Sequence, residues 1–345
     1  MSGMRPVFAE LPPVRPGDRV AVVSPSYAAP ADFPAVHERG LAVLRGLGLV
    51  PVEYPTTRRH SGPAQRAADL MAAFADDSVR AVLATIGGDD QLTVLPHLDP
   101  AVIRPKPFAG YSDNTNLLNW LWNLGVPALH GGSTMVHLGR AGGPHPDSLA
   151  SLRAALFRTG DVVLRPAAVF AEEDTDWAAA DPRPAPVVAH PGWSWHQPSR
   201  VVTGPVWGGN LEILHWNLAA GRWIRPAADY AGCVLLLETS EETPSAAEVY
   251  RMLRNAGERG LLGRFPAVLV GLARACRLFA RPPAQERAAY RADQRAAVLR
   301  AFGEYAPDAM IVFDVDVGHT DPQWVLPYGG LVTVDGPARR VTAHW

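Results

Sequence analysis

A chain of 345 residues is long for a single core, and its 32 basic and 34 acidic residues leave it close to neutral. It has no lysine or arginine block and no basic stripe with interleaved aromatics, which sets aside nucleic acid and anionic membrane as partners and leaves a small molecule as the expected ligand. No stretch approaches ~18 uninterrupted apolar residues, so no membrane-spanning helix is expected.

The first clear element is Arg19 to Ser24 (R-V-A-V-V-S), a β-branched run followed by a Pro-rich turn and a helical pattern from Ala31 to Leu47. The same alternation recurs as strand Leu49 to Tyr54, helix Ala64 to Asp76, strand Ala81 to Ile86 and a short helix Asp90 to Leu95. Strand Pro107 to Tyr111, helix Asn114 to Leu124 and strand Pro127 to His130 complete the series. Strands that are apolar throughout and alternate with helices predict a parallel sheet covered on both faces, of the Rossmann or flavodoxin-like kind. Ligands in such sheets bind at the carboxyl ends of the strands. Three loops lie there: Ser24 to Tyr27, Gly87 to Asp90 and Tyr111 to Asn114.

A dinucleotide or phosphate site fails on detail. The first βα turn reads S-P-S-Y-A-A-P rather than G-x-G-x-x-G, and no G-x-x-x-x-G-K-[ST] loop occurs. Gly87 and Gly88 read either as a plain tight turn or as backbone that must approach another group closely. Ser112 stands in the sharp turn between a strand and a helix, where a hydroxyl points outward and the next N–H groups can hold an oxyanion. The competing reading is that Ser112 or Asp113 only caps the helix.

From Arg165 to Pro198 the composition turns to Pro, Ala, Asp and Glu, which predicts a linker or surface excursion. The chain is therefore expected to divide into an N-terminal α/β domain (1–164), a linker (165–198) and a smaller C-terminal β/α domain (199–345). Trp177, Trp193 and Trp195 in the excursion either cover a ligand by stacking or anchor the loop to the core. Beyond it, Ser199 to Trp207 is strand-like, and a helix is expected from the G-G-N-L-E run at Gly208 to a stop at Gly221.

Cys233 to Glu238 (C-V-L-L-L-E) is a buried strand, and a carboxylate closing such a strand needs a specific partner. Glu241 and Glu242 read as residues complementing the dipole of the helix from Ser245 to Asn255. Strand Ala267 to Leu272, a helix over Gln285 to Phe302 and strand Met310 to Val315 follow, leading into D-V-G-H-T-D-P. His319, in that loop, is the histidine best placed to act as a base, with a structural role as its alternative. The EF-hand pattern fails at Gly318 and His319, and no H-E-x-x-H or paired Cys/His zinc spacing occurs, so no metal is expected. Cys233 and Cys276 lie in apolar runs and the opening M-S-G-M-R-P-V-F lacks an apolar h-region, so a cytoplasmic protein is expected, with a single disulfide as the alternative for the thiols.

With these residues in place, the chain resembles the serine peptidase family of LD-carboxypeptidases and microcin C immunity peptidases. The resemblance is carried, in the family's order, by G-D-R-V-A-V-V-S-P-S, A-T-I-G-G-D-D, F-A-G-Y-S-D-N-T, G-P-V-W-G-G-N-L-E-I-L, L-L-L-E-T-S-E-E and G-H-T-D-P. It implies a Ser-Glu-His triad at Ser112, Glu238 and His319, and an oxyanion hole at the backbone N–H groups of Asp113 and Gly88. It further implies homodimers, no cofactor, and a substrate that is a muropeptide or a peptidyl or aminoacyl nucleotide. Gly87, Asp89, Trp177, Trp193 and Trp207 are the candidate substrate contacts. The G-H-T-x-P form around His319 is nearer the microcin-immunity branch.

Overall fold

The computed structural model describes residues 5–345, so the first four residues of the opening lie outside the described part. In the first half, β1 (Arg19–Val23), β2 (Val50–Glu53), β3 (Val79–Ala84), β4 (Phe108–Gly110) and β5 (Ala128–His130) pair in parallel in the order β2-β1-β3-β4-β5. This is the flavodoxin-like order, whose crevice lies at the switch between β1 and β3. Helices α1 (Ala29–Asp32), α2 (Pro34–Gly46), α3 (Pro63–Ala75), α4 (Thr115–Asn123) and α5 (Pro146–Phe157) cover the two faces. Strand β1 shows no alternation of polar and apolar residues because both of its faces are buried: Val20 and Val22 face one apolar cluster with Leu41 and Leu44, whereas Val23 faces the other with Leu70 and Phe74.

The helix expected over Ala31 to Leu47 is broken in two. Phe33 has φ −128°, outside the helical region, because Pro34 opens α2 and the residue before a proline is driven out of the α conformation. The short helix expected at Asp90 to Leu95 is replaced by two 3-10 turns, Gln91–Thr93 and Leu95–His97.

In the second part of the chain come β6 (Val162–Leu164), β7 (Val169–Phe170), β8 (Val188–Ala189), β9 (Ser194–His196) and β10 (Val201–Asn210). They are followed by α6 (Leu211–Ala220), β11 (Val234–Glu238), α7 (Ala246–Glu258), β12 (Ala267–Gly271), α8 (Ala284–Tyr305) and β13 (Met310–Val315). The last strands are β14 (Leu326–Tyr328), β15 (Leu331–Asp335) and β16 (Arg340–Ala343). Strands β10 to β13 form a second parallel block. The stretch read as a linker is more structured than expected: β7 pairs with β8, and β9 joins the main sheet antiparallel to β13. Strand β10 also runs past its expected end at Trp207, because Gly208 and Gly209 adopt φ 132° and 111° and keep pairing with β11 before Asn210 caps α6.

The two blocks are one sheet. Strand β14 pairs antiparallel with β5 on one side and parallel with β10 on the other, closing the order β5-β14-β10-β11-β12-β13. The carboxyl ends of β4 and β11 are thereby fixed relative to each other by main-chain hydrogen bonds. Both cysteines are buried and free, and no described helix is long and apolar enough to cross a membrane.

Candidate active site

The three strand-end loops converge. Ser26, in the loop after β1, donates to the Asp113 carboxylate, which also accepts from the Gln91 N–H at 2.9 Å and the Asn116 side-chain amide at 2.8 Å. Arg66 on α3 ties the first two loops together, donating 2.8 Å to the Ser26 carbonyl and pairing with both oxygens of Asp90 at 2.7 Å. Asp113 thus serves as a buried brace for the turn rather than as a helix cap, and burial raises its pKa against those hydrogen bonds.

Ser112 has φ 61°, a left-handed conformation that a non-glycine residue adopts only when its surroundings enforce it. Residues Ser112–Asn114 form a 3-10 turn leading into α4, and its first N–H groups have no acceptor within the helix. Gly87 lies against this turn: a Cβ there would come 3.0 Å from the Ser112 hydroxyl oxygen and 3.3 Å from the Asp113 nitrogen. Gly88, at φ 158°, packs its Cα against Ser26. The plain tight-turn reading of this glycine pair therefore gives way to close backbone approach. Asp89 is exposed at the same loop.

From the second block, Glu238 ends β11 and His319 follows Gly318 in the loop after β13. The His319 Nδ1 lies 2.5 Å from Glu238 Oε2, and its Nε2 lies 3.1 Å from the Ser112 Oγ. An ionised carboxylate only accepts, so Nδ1 carries a proton, and it is when the ring is neutral that Nε2 presents its lone pair to the serine. A Cβ at Gly318 would stand 2.7 Å from the Glu238 Cβ, and Gly271 on β12 makes a similar close approach, so two glycines admit the carboxylate. Gln323 holds the His319 loop to the end of β5, donating 2.7 Å to the Gly318 carbonyl and accepting from the Gly132 N–H at 3.1 Å. Burial opposes the charge on both partners. The negative charge and hydrogen bond of Glu238 nonetheless lift His319 to about 9, and His319 in turn holds Glu238 below the usual carboxylate value.

Glu241, read from the sequence as a helix-dipole residue, instead faces this histidine, with Oε2 3.3 Å from His319 Nε2. Nothing local in the sequence signals it; the tight turn 239–244 turns it inward, held by the Ser240 N–H and hydroxyl donating 2.9 and 2.7 Å to Glu212 on α6.

The tryptophans separate. Trp177 is half-buried, edge-on to Phe33 with centroids 5.4 Å apart, and packs against the apolar cluster of Ala29, Val36 and Met135. Trp193 anchors the 165–198 segment to the loop that carries the histidine, its indole N–H donating 2.8 Å to the buried Asp316. Trp195 lies in β9 opposite Val312. Trp207, expected as a substrate contact, is a core residue: it stacks on Phe265 at 5.7 Å and lies tilted against Tyr230 at 4.3 Å, because its side of β10 faces α6 and α7 rather than the crevice.

The profile of the LD-carboxypeptidase N-terminal domain matches residues 20–131, and that of the LD-carboxypeptidase C-terminal domain matches residues 203–334. The chain is 30% identical over 262 residues to the "Probable murein peptide carboxypeptidase" of Bacillus subtilis, covering 74% of this chain and 72% of that protein. A solved MccF-like protein from Streptococcus pneumoniae in complex with AMP superposes with a TM-score of 0.83 at 28% identity, over 95% of this chain and 98% of the other. A MccF-like protein from Bacillus anthracis gives 0.82 at 21% identity, over 97% and 98%, a likeness of fold.

Proposed function

The chain belongs to the LD-carboxypeptidase family of serine peptidases, and on that premise we propose that Ser112, His319 and Glu238 are its catalytic triad and cleave an amide bond through an acyl-enzyme. The observation that supports this most directly is the line of contacts from Ser112 Oγ to His319 Nε2 at 3.1 Å and from His319 Nδ1 to Glu238 at 2.5 Å, across residues drawn from both blocks of the sheet.

His319 takes the Ser112 proton on Nε2 as the oxygen attacks the amide carbonyl. Glu238 orients the ring and stabilises the imidazolium. The oxyanion is received by the N–H groups of Asp113 and Gly88, each such donor contributing ~3 kcal/mol to the transition state. His319 then protonates the leaving amine, and in the second half it takes a proton from water, which attacks the acyl-Ser112 ester and frees the enzyme. On this reading the enzyme is cytoplasmic and homodimeric, with the serine on a domain spanning 1–164 and the other two residues on a domain spanning 199–345.

Two substrate classes draw on separate observations. A murein peptide is favoured by the name of the Bacillus subtilis relative. An aminoacyl or peptidyl nucleotide is favoured by the AMP held by the pneumococcal protein. Incubation with a murein tetrapeptide and with an aminoacyl sulfamoyl adenosine, read by mass spectrometry, separates them. Labelling by a fluorophosphonate that is lost in Ser112→Ala, with the far-UV spectrum unchanged, is the expected result for the triad. Turnover that survives in Ser112→Ala overturns the assignment, and a wild-type protein that resists the label favours a non-catalytic binder on the same frame.

A further inference from the structure

Glu241 Oε2 is buried and accepts no hydrogen bond among the described residues, although the side chain as a whole is 39% exposed. One oxygen is therefore turned toward His319 while the side chain stays open to solvent. Its nearest cation is the His319 ring at 3.3 Å, too far off the ring's N–H direction to count as a hydrogen bond because Nε2 is aimed at Ser112. A buried carboxylate oxygen lacking a donor is costly, and an incoming donor removes that cost.

We propose that Glu241 recognises an ammonium group of the substrate beside the scissile amide, and that this pairing releases His319 to act as the base. The proposal rests on the triad reading and names the substrate chemistry at the same site. With the ammonium absent, Glu238 and Glu241 flank the two ring nitrogens and hold the imidazolium, whose Nε2 then has no lone pair for the Ser112 proton. When the ammonium pairs with Glu241, the second of those charges is compensated. The Nε2 proton leaves to solvent, and Nε2 becomes free to accept from Ser112.

The other groups around the ring do not oppose this. His130 and His137 are buried and lowered to about 4, so they are neutral at working pH. Tyr111 meets the ring edge-on at 5.1 Å and burial raises its phenol well above the ordinary value, so it too is neutral. Arg274 is already paired with Asp174, and Asp321 with Arg140 at 2.7 Å. Glu212, whose carboxyl is raised by burial, points to Ser240. Glu241 is thus the carboxylate in contact with His319 that an incoming ligand can reach.

The test uses the full-length protein and the pH dependence of its fluorophosphonate labelling rate, which requires no natural substrate. In the wild type the rate is expected to rise toward about pH 9, following His319. Glu241→Gln should move that rise about 1 pH unit lower and speed labelling at pH 7 about 10-fold. Glu241→Asp should restore part of the shift, and Glu242→Gln, which removes an exposed neighbouring charge, should not move it. Glycinamide, a small ammonium probe, should accelerate labelling of the wild type at pH 7 and leave Glu241→Gln unaffected. Coincident pH profiles for wild type and Glu241→Gln overturn the hold on His319. A shifted profile with no glycinamide response in the wild type overturns the recognition of an ammonium. A wild type that is not labelled at any pH fails at the triad instead, which keeps the two failures apart.

Discussion

Gly87 stands so close to Ser112 that a Cβ on it would lie 2.9 Å from the serine Cβ. Its backbone φ is outside the left-handed range, so alanine meets no conformational objection there; the conflict is with Ser112 and, at 3.3 Å, the Asp113 nitrogen. Gly87→Ala should fold with nearly unchanged stability and lower kcat about 100-fold by displacing the serine or the oxyanion donors. Steady-state kinetics beside a thermal melt checks this, and wild-type kcat in a folded Gly87→Ala protein would refute it.

Glu238→Gln keeps the size of the side chain but lets the amide present a donor to Nδ1, which favours the wrong tautomer of His319. A loss of ~1,000-fold or more in kcat is expected, with KM changed far less. Because the charge that raises His319 is gone, the acid limb of the pH profile should also move below about 9.

Stability toward acid should be governed by His130 and His137. Each is buried and lowered to about 4, against about 6.5 in an unfolded chain. Below pH 6.5 the unfolded chain binds protons that the folded one refuses, so stability is lost as the pH falls from 6.5 toward 4. Each histidine should account for about 2 kcal/mol between about pH 7 and pH 5. Neither ring nitrogen of His130 has a hydrogen-bond partner among the described residues, so His130→Phe should flatten this dependence in urea titrations at the two pH values.

Glu172 is buried and holds Arg287 at 3.0 Å, Arg291, and the Ala275 N–H at 2.9 Å, fastening the 165–198 segment to α8. Glu172→Gln leaves two largely buried guanidinium groups without their counter-charge and should cost about 3 kcal/mol. Limited proteolysis should then cut first within that segment; cleavage at the wild-type rate would argue that other contacts hold it.

Much of this architecture is legible in the sequence because the βα signals are local: apolar runs of strand length, helical spacing between them, and proline or glycine at the breaks. Glu238 is readable as a carboxylate in need of a partner, since a charge closing V-L-L-L cannot reach water freely. What escapes such reading depends on distant contacts. Glu241 stands just before α7, yet its turn is held by Glu212 from a different helix. Trp207 resembles a ligand-stacking residue until Tyr230 and Phe265 are seen against it. The strands in 165–198 are too short to rise above their Pro-rich surroundings, and β9 forms because β13 offers it an edge.

The seam at β14 bears on how the protein is made. Ser112 and His319 are 207 positions apart, and the strand that joins their two blocks, Leu326–Tyr328, comes later still. During synthesis the Ser112 turn emerges long before His319, and His319 emerges before the strand that sets their spacing. On the proposed reading, the contact between Ser112 and His319 is not fixed until β14 has been translated, and a product cut short before that strand is expected to be inert.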